Sequence, residues 1–203
     1  MAISFYVLDL ETTGLLSTTH EITELSLIRV ADRVQLTRQV RVNHPENASY
    51  DALKITGKTM NDLKKGISPE QLIRDVDEFL ARDGSAKTHR SIIGHNAINF
   101  DLKFIHRLYD NYNKTFQADM WVDTLHMSRD YSKKIGILKP KLSLSASCDM
   151  LNIKKYAGIH NAQDDTRNTY LLWDKLIKEV DYLQHIKRLP HNETQYDDNN
   201  DIF

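Results

Sequence analysis

The sequence predicts an α/β protein with a mixed β-sheet flanked by helices, and three observations carry that expectation. The first 42 residues hold strand patterns only: an apolar run at 5–10, then the alternating segments ITELSLIRV (22–30) and RVQLTRQVRV (33–42). Beyond residue 90, short apolar runs each feed a helical pattern. Strands first and then strands alternating with helices describe a mixed sheet. The length of 203 residues, with 40% apolar and 27% charged residues, suits one globular unit with a real core.

Taken in order, residues 5–10 form a buried strand, and the two alternating segments join near Ala31-Asp32 as an antiparallel meander. Residues 43–66, rich in Asn, Gly and Lys, predict short helical turns. Ser68-Pro69-Glu70-Gln71 reads as an N-cap followed by proline at the first helical position, opening a helix to about Ala81. SIIGHN (91–96) is a short buried strand leading into a helix from Ala97 to Asn111, with Phe100, Phe104 and Leu108 at helical spacing. MWVDTL (120–125) is another strand running into a helix, and 142–151 is helical. A long helix is expected from Ala162 to His185, with Leu172, Leu176, Val180 and Leu183 on its apolar face. Residues 1–189 are expected to form the domain, and 190–203 an acidic, disordered tail.

Composition narrows the function classes. A single cysteine, Cys148, excludes an internal disulfide and cysteine-rich zinc sites, which suits a reducing, cytoplasmic setting. No apolar run approaches the ~18–20 residues that span a bilayer, so no membrane partner is expected. The net charge of −1 hides an asymmetry: residues 190–203 hold four acids and no Lys or Arg, leaving residues 1–189 at +3. Seven basic residues against two acids between Arg129 and Lys155 form a local patch that includes Lys133, Lys134, Lys139 and Lys141. A polyanionic partner and a merely solvated face are both open readings of that patch.

The stretch FYVLDLETTGL (5–15) places Asp9 and Glu11 one residue apart at the end of a buried strand. Side chains at i and i+2 share a face, so both carboxylates aim at one spot. Crowded acids in a buried segment need a positive object between them, and a metal ion is the usual one; a solvated strand end is the alternative. Two more segments carry acids in telling positions. IIGHNAINFDLKFI (92–105) puts Asp101 in the first turn of a helix, and HNAQDDTRNTYLL (160–172) puts His160 before the last helix and Asp165 inside it.

Together these motifs resemble the DEDDh family of 3'-to-5' exonucleases, which is similar across polymerase proofreading exonucleases, exonuclease I, ribonuclease T and oligoribonuclease. DxETTG matches at Asp9 to Gly14, HNAxFD at His95 to Asp101 with one residue inserted between the alanine and the phenylalanine, and HxAxxD at His160 to Asp165. The resemblance spans roughly residues 5–178. It implies a ribonuclease H-like fold and two divalent ions, Mg2+ or Mn2+, as cofactors. It implies that Asp9 bridges the ions, that Glu11 and Asp165 complete one site, that Asp101 serves the second largely through water, and that His160 is the general base. Thr12 and Leu15 would grip the terminal nucleotide, with Leu15 as a wedge between the last two bases; Ile55, Thr56 and Phe100 would line the terminal base pocket, with Asn96 among the contacts. In-line phosphodiester hydrolysis accounts for these residue types, because oxygen ligands suit Mg2+ and an imidazole is poised to take a proton near neutral pH.

The expected reaction is removal of nucleoside 5'-monophosphates from the 3' end of single-stranded DNA, in replication or repair. RNA or short oligoribonucleotides are the alternative substrate, since a 2'-hydroxyl contact leaves no mark in these motifs. A non-catalytic binding or assembly module is a third reading, against which the intact set of five residues argues. Lys133, Lys134, Lys139 and Lys141 are candidates for the wall of a strand channel. The tail YDDNNDIF (196–203), three aspartates ahead of an apolar pair, is a candidate anchor for a replication or repair partner.

Overall fold

The computed structural model describes residues 2–156 and 161–189. Its sheet has six strands: Ser4–Thr12 (β1), Ile22–Arg29 (β2), Gln35–Gln39 (β3), Arg90–Gly94 (β4), Met120–Asp123 (β5) and Lys187–Arg188 (β6), in spatial order β3-β2-β1-β4-β5-β6. β1, β2 and β3 are antiparallel neighbours, β4 and β5 run parallel to β1, and β6 closes the edge antiparallel to β5. The helices are Tyr50–Thr56 (α1), Pro69–Ala81 (α2), Asp101–Asp110 (α3), Thr124–Lys134 (α4), Leu144–Met150 (α5) and Ala162–Leu176 (α6). This is the expected α/β architecture of a mixed sheet between helices.

Alternation in β1 divides the interior into two cores. Tyr6, Leu8 and Leu10 enter one core with Leu72, Val76 and Phe79 of α2 and Leu102 and Ile105 of α3. Val7 enters the other with Cys148 of α5 and Leu172, Trp173 and Leu176 of α6. Asp9 and Glu11 continue the Val7 side by the same period of two, so they face α6. That register, with a bulge where Thr12 pairs with Ile22 just after Glu11 pairs with Glu24, fixes the acids at the end of the sheet to which the parallel strands run.

Several boundaries depart from the sequence expectation for identifiable reasons. β1 continues to Thr12, because β2 supplies backbone partners beyond Leu10. β3 is confined to 35–39: Arg33 takes a left-handed turn at φ 61°, and after Gln39 the chain bends so that Val40 bridges to Ile67. α3 starts at Asp101 and not Ala97, for a reason that belongs to the site. α6 ends at Leu176 and not His185. Asp181 caps a short 3-10 turn at Tyr182–His185, and the Tyr182 ring packs edge-on against Phe5 and Trp173, which turns the chain back onto the sheet. Leu183, expected on the apolar helix face, is consequently exposed. β6 has no sequence signature beyond two basic residues; edge pairing with Met120 and Trp121 makes it. The acidic tail lies outside the described residues.

Candidate active site

The Thr12-Thr13-Gly14 loop is built to present the acids that precede it. The Thr12 hydroxyl donates to the Gly14 carbonyl (2.7 Å), the Thr13 amide donates to the Glu21 carbonyl (2.8 Å), and the Ser49 amide donates to the Thr13 carbonyl (2.7 Å). A Cβ at position 14 would collide with the His20 ring, so any other residue there would force that ring to move. Within this frame Asp9, Glu11 and Asp165 each offer a ligand atom, all within 4.8 Å of one another. Asp165 arrives from α6, whose first turn is capped by the Asn161 side chain accepting from the Asp164 amide (2.8 Å).

Asp101 reaches the same site from the opposite core. The residue inserted in HNAINFD is absorbed by a loop over 95–100 in which Asn96 is left-handed, at φ 65°. Buried Asp123, in the VDTL segment, accepts from the amides of Asn96 (2.8 Å), Ile98 (3.3 Å) and Leu125 (2.9 Å). The left-handed Asn96 and the non-helical Phe100, at φ −123° and ψ −77°, interrupt the backbone, so the regular helix begins at Asp101. Gly94 permits the loop to fold this tightly, since a Cβ there would meet that of Ala97. Asp101 is 5% exposed, and its carboxylate accepts a hydrogen bond from the Leu10 backbone.

Electrostatics register the crowding. Burial, and then the charges of Asp101, Asp165, Glu11 and Glu24, holds the Asp9 carboxyl well above the usual carboxylate range. Glu11 is pushed up to about 7, by burial first and then by Asp165 and Glu24, with Lys58 opposing. Burial raises Asp101 as well, with Asp123 and Glu11 adding to it against hydrogen bonds from the backbone. Carboxylates so placed take up protons or cations, and a set of oxygen donors with no thiolate or imidazole among the three fits a hard divalent ion.

Beside the carboxylates lies an open cavity of about 230 Å3 walled by Glu11, Thr12, Leu15, Ile55, Thr56 and Phe100. The sequence-predicted substrate residues thus meet in one place, apart from Asn96. That residue is exposed, is not part of the cavity wall, and accepts from the Asn99 side chain (3.3 Å). The inserted residue and the left-handed turn that absorbs it account for the displacement. Phe100 stacks on Phe104 (4.9 Å between centroids), and Leu15 stands at the mouth with 80% of its surface exposed. Sequence reasoning missed Ser49 and Asp51, which with Ala52 complete the wall from α1 and its cap. It also passed over Glu24, whose signal was a charge in the middle of a buried strand opposite Glu11. His160 lies outside the described residues.

The basic patch resolves into two kinds of lysine. Lys133 and Lys134 are engaged in ion pairs, with Asp130 and Glu179 respectively (2.9 Å each). Lys139 and Lys141 are exposed and make no ion pair among the described residues. His95 ties their loop to the end of β4, its Nε2–H donating to the Leu142 carbonyl (2.7 Å).

The fold and the acidic cluster agree with one class, the DEDDh-like 3'-to-5' exonucleases, a family dependent on divalent metal. An exonuclease family model, RNase_T, matches residues 6–173, and the chain belongs to that family. Among curated proteins it is similar to DNA polymerase III PolC-type of Staphylococcus saprophyticus (25% identical over 180 residues, 89% of this chain) and of Halalkalibacterium halodurans (27% over 188 residues, 89% of this chain). The chain spans only 12% of the length of each. Among solved structures it shares its fold with E. coli exonuclease I in complex with a dT13 oligonucleotide (TM-score 0.74, 15% identity, 90% of this chain and 42% of that one). It also shares it with exonuclease I from Methylocaldum szegediense (TM-score 0.69, 24% identity, 88% and 41%). Among the described residues no helix is long and apolar enough to cross a membrane.

Proposed function

We propose that this chain removes nucleoside 5'-monophosphates one at a time from the 3' end of single-stranded DNA. The observation that carries this reading is the junction of the Asp9–Glu11–Asp165 cluster with the cavity walled by Ile55, Thr56 and Phe100, since Glu11 belongs to both. The cavity takes the terminal nucleotide, the exposed Leu15 inserts against the next base, and the scissile phosphate then falls at the carboxylates. A paired end would have to lose its stacking to enter, so unpaired ends are preferred. A role in DNA replication or repair is the setting that fits the PolC-type and exonuclease I relatives.

Asp9, Glu11 and Asp165, with Asp101 contributing, would hold two divalent ions, Mg2+ or Mn2+. Bound ions supply charge neutralisation on the phosphate and a water acidic enough to attack near neutral pH. The chain's own groups do the rest. The carboxylates fix the attacking water in line with the phosphorus, and His160 accepts its proton. The bond from phosphorus to the 3'-oxygen breaks, and that oxygen, which stays with the shortened strand, takes a proton from solvent water.

On 5'-labelled substrates with Mg2+ or Mn2+, a ladder shrinking from the 3' end is expected on single-stranded DNA, a weaker one on duplex, and none with EDTA. Equal or faster degradation of RNA would reassign the substrate to oligoribonucleotides, and no ladder on any nucleic acid would overturn the reading. Changing Lys139 and Lys141 together to Ala should weaken binding of long single strands and reduce the salt-dependence slope by about 1.4, at ~0.7 per phosphate contact. The Lys133/Lys134 double change should leave the slope nearly unaltered, because those lysines are already neutralised by Asp130 and Glu179. Filter binding across a salt series measures both, and equal slopes for the two doubles would return the whole patch to a solvated face.

A further inference from the structure

Glu24 stands directly across from Glu11 in the β1–β2 register, so the two carboxylates share a face with Asp9. Yet Glu24 lies outside the group whose ligand atoms converge, because it is occupied elsewhere: Lys58 Nζ lies 3.0 Å from Glu24 Oε2. Both side chains are largely buried, at 15% and 14% exposure. The chain delivers Lys58 there deliberately in geometric terms. Gly57 ends α1 in the left-handed conformation at φ 67°, and Thr59, on the other side of Lys58, is held by Asp62, which accepts from its amide (2.9 Å) and its hydroxyl (2.6 Å). Lys58 is therefore fixed between two backbone constraints, directly after the helix that walls the cavity.

We propose that Lys58 is a positioning residue for the metal site: it holds Glu24 out of the ligand set, leaving Asp9, Glu11 and Asp165 to bind the ions, and so sets the affinity for divalent metal. This rests on the metal-dependent reading above. The physical basis is that a buried carboxylate deprived of its partner seeks another cation, and the nearest is an ion held by Glu11. Lys58 also opposes the upward push on Glu11 that Glu24 exerts, which agrees with its place among these acids.

The test is calorimetric titration of the 203-residue chain with Mn2+, with no substrate present. Lys58→Met frees Glu24 and makes the site one charge more negative, so Mn2+ should bind on the order of 10-fold tighter, with slower turnover at saturating metal because the ligand set is altered. Glu24→Gln should weaken Mn2+ by a similar factor. Lys58→Met combined with Glu24→Gln restores the local charge and should return close to the wild-type affinity. Lys58→Arg, which keeps the charge, should also bind like wild type and serves if Lys58→Met does not fold; Glu24→Gln alone must still weaken binding. Wild-type protein that binds no Mn2+ up to millimolar concentration would overturn the metal reading itself. Wild-type binding with unchanged affinity in Glu24→Gln, or a double variant as tight as Lys58→Met, would overturn the role of Lys58 alone.

Discussion

Asp9→Asn is expected to reduce cleavage by on the order of 10^3 or more, equivalent to about 4 kcal/mol of lost transition-state stabilisation, while making the metal-free protein more stable at pH 8. Both effects come from the same crowding. In the metal-free fold Glu11 titrates at about 7 against an ordinary 4.5, driven by burial and by the acids around it. The folded state holds that proton more tightly than the unfolded chain does, so the sign runs opposite to a salt-bridged carboxylate. The contribution of Glu11 is greatest below about pH 4.5 and is lost as pH rises to about 7, by about 3 kcal/mol for a shift of this size. Asp9 is raised in the same direction, and removing its charge relieves Glu11, Asp101 and Asp165 together. Urea unfolding in EDTA at pH 5 and pH 8 should show the variant gaining on the wild type at the higher pH only. Added Mg2+ should stabilise the wild type and leave Asp9→Asn almost unmoved. Activity above a few per cent under saturating Mg2+ would remove Asp9 from the ligand set.

His160→Ala should lower the maximal rate by about 10^2 to 10^4 with little change in binding of single-stranded DNA, the range ordinary for a general base. The imidazole acts as base in its neutral form, so wild-type activity should rise with pH through the His160 titration. In His160→Gln the residual activity should lose that acid limb. Single-turnover rates from pH 5.5 to 8.5 make the comparison, and an unaltered limb in the glutamine variant would assign it to the carboxylates. A loss seen mainly in DNA affinity would make His160 a substrate contact and leave the base unidentified.

The motif-bearing acids were legible because each is tied to a local signal. Asp9 and Glu11 follow from a period of two at the end of an apolar run, and Asp165 from its place inside the last helix, five residues after His160. The cavity residues Ile55, Thr56 and Phe100 were legible only by resemblance; nothing local in 43–66 marks α1 as a wall. Asn96 shows the limit from the other side. The motif is present, but one inserted residue and the amide-binding carboxylate of Asp123, 27 positions away, turn it out of the cavity.

By itself the sequence determined the strand and helix types, the two faces of β1 and the order of the acidic motifs, because hydrophobic periodicity and capping act over a few residues. Tertiary structure decided which acids converge on one spot and which are engaged elsewhere. Asp123 is spent on backbone amides and Glu24 on Lys58, while Asp9, Glu11 and Asp165 are left to converge. It also separated Lys139 and Lys141 from Lys133 and Lys134, which counted alike in the charge total. The physical reason is that a charge is fixed by its composition, whereas its partner is fixed by register and packing between segments far apart in the chain.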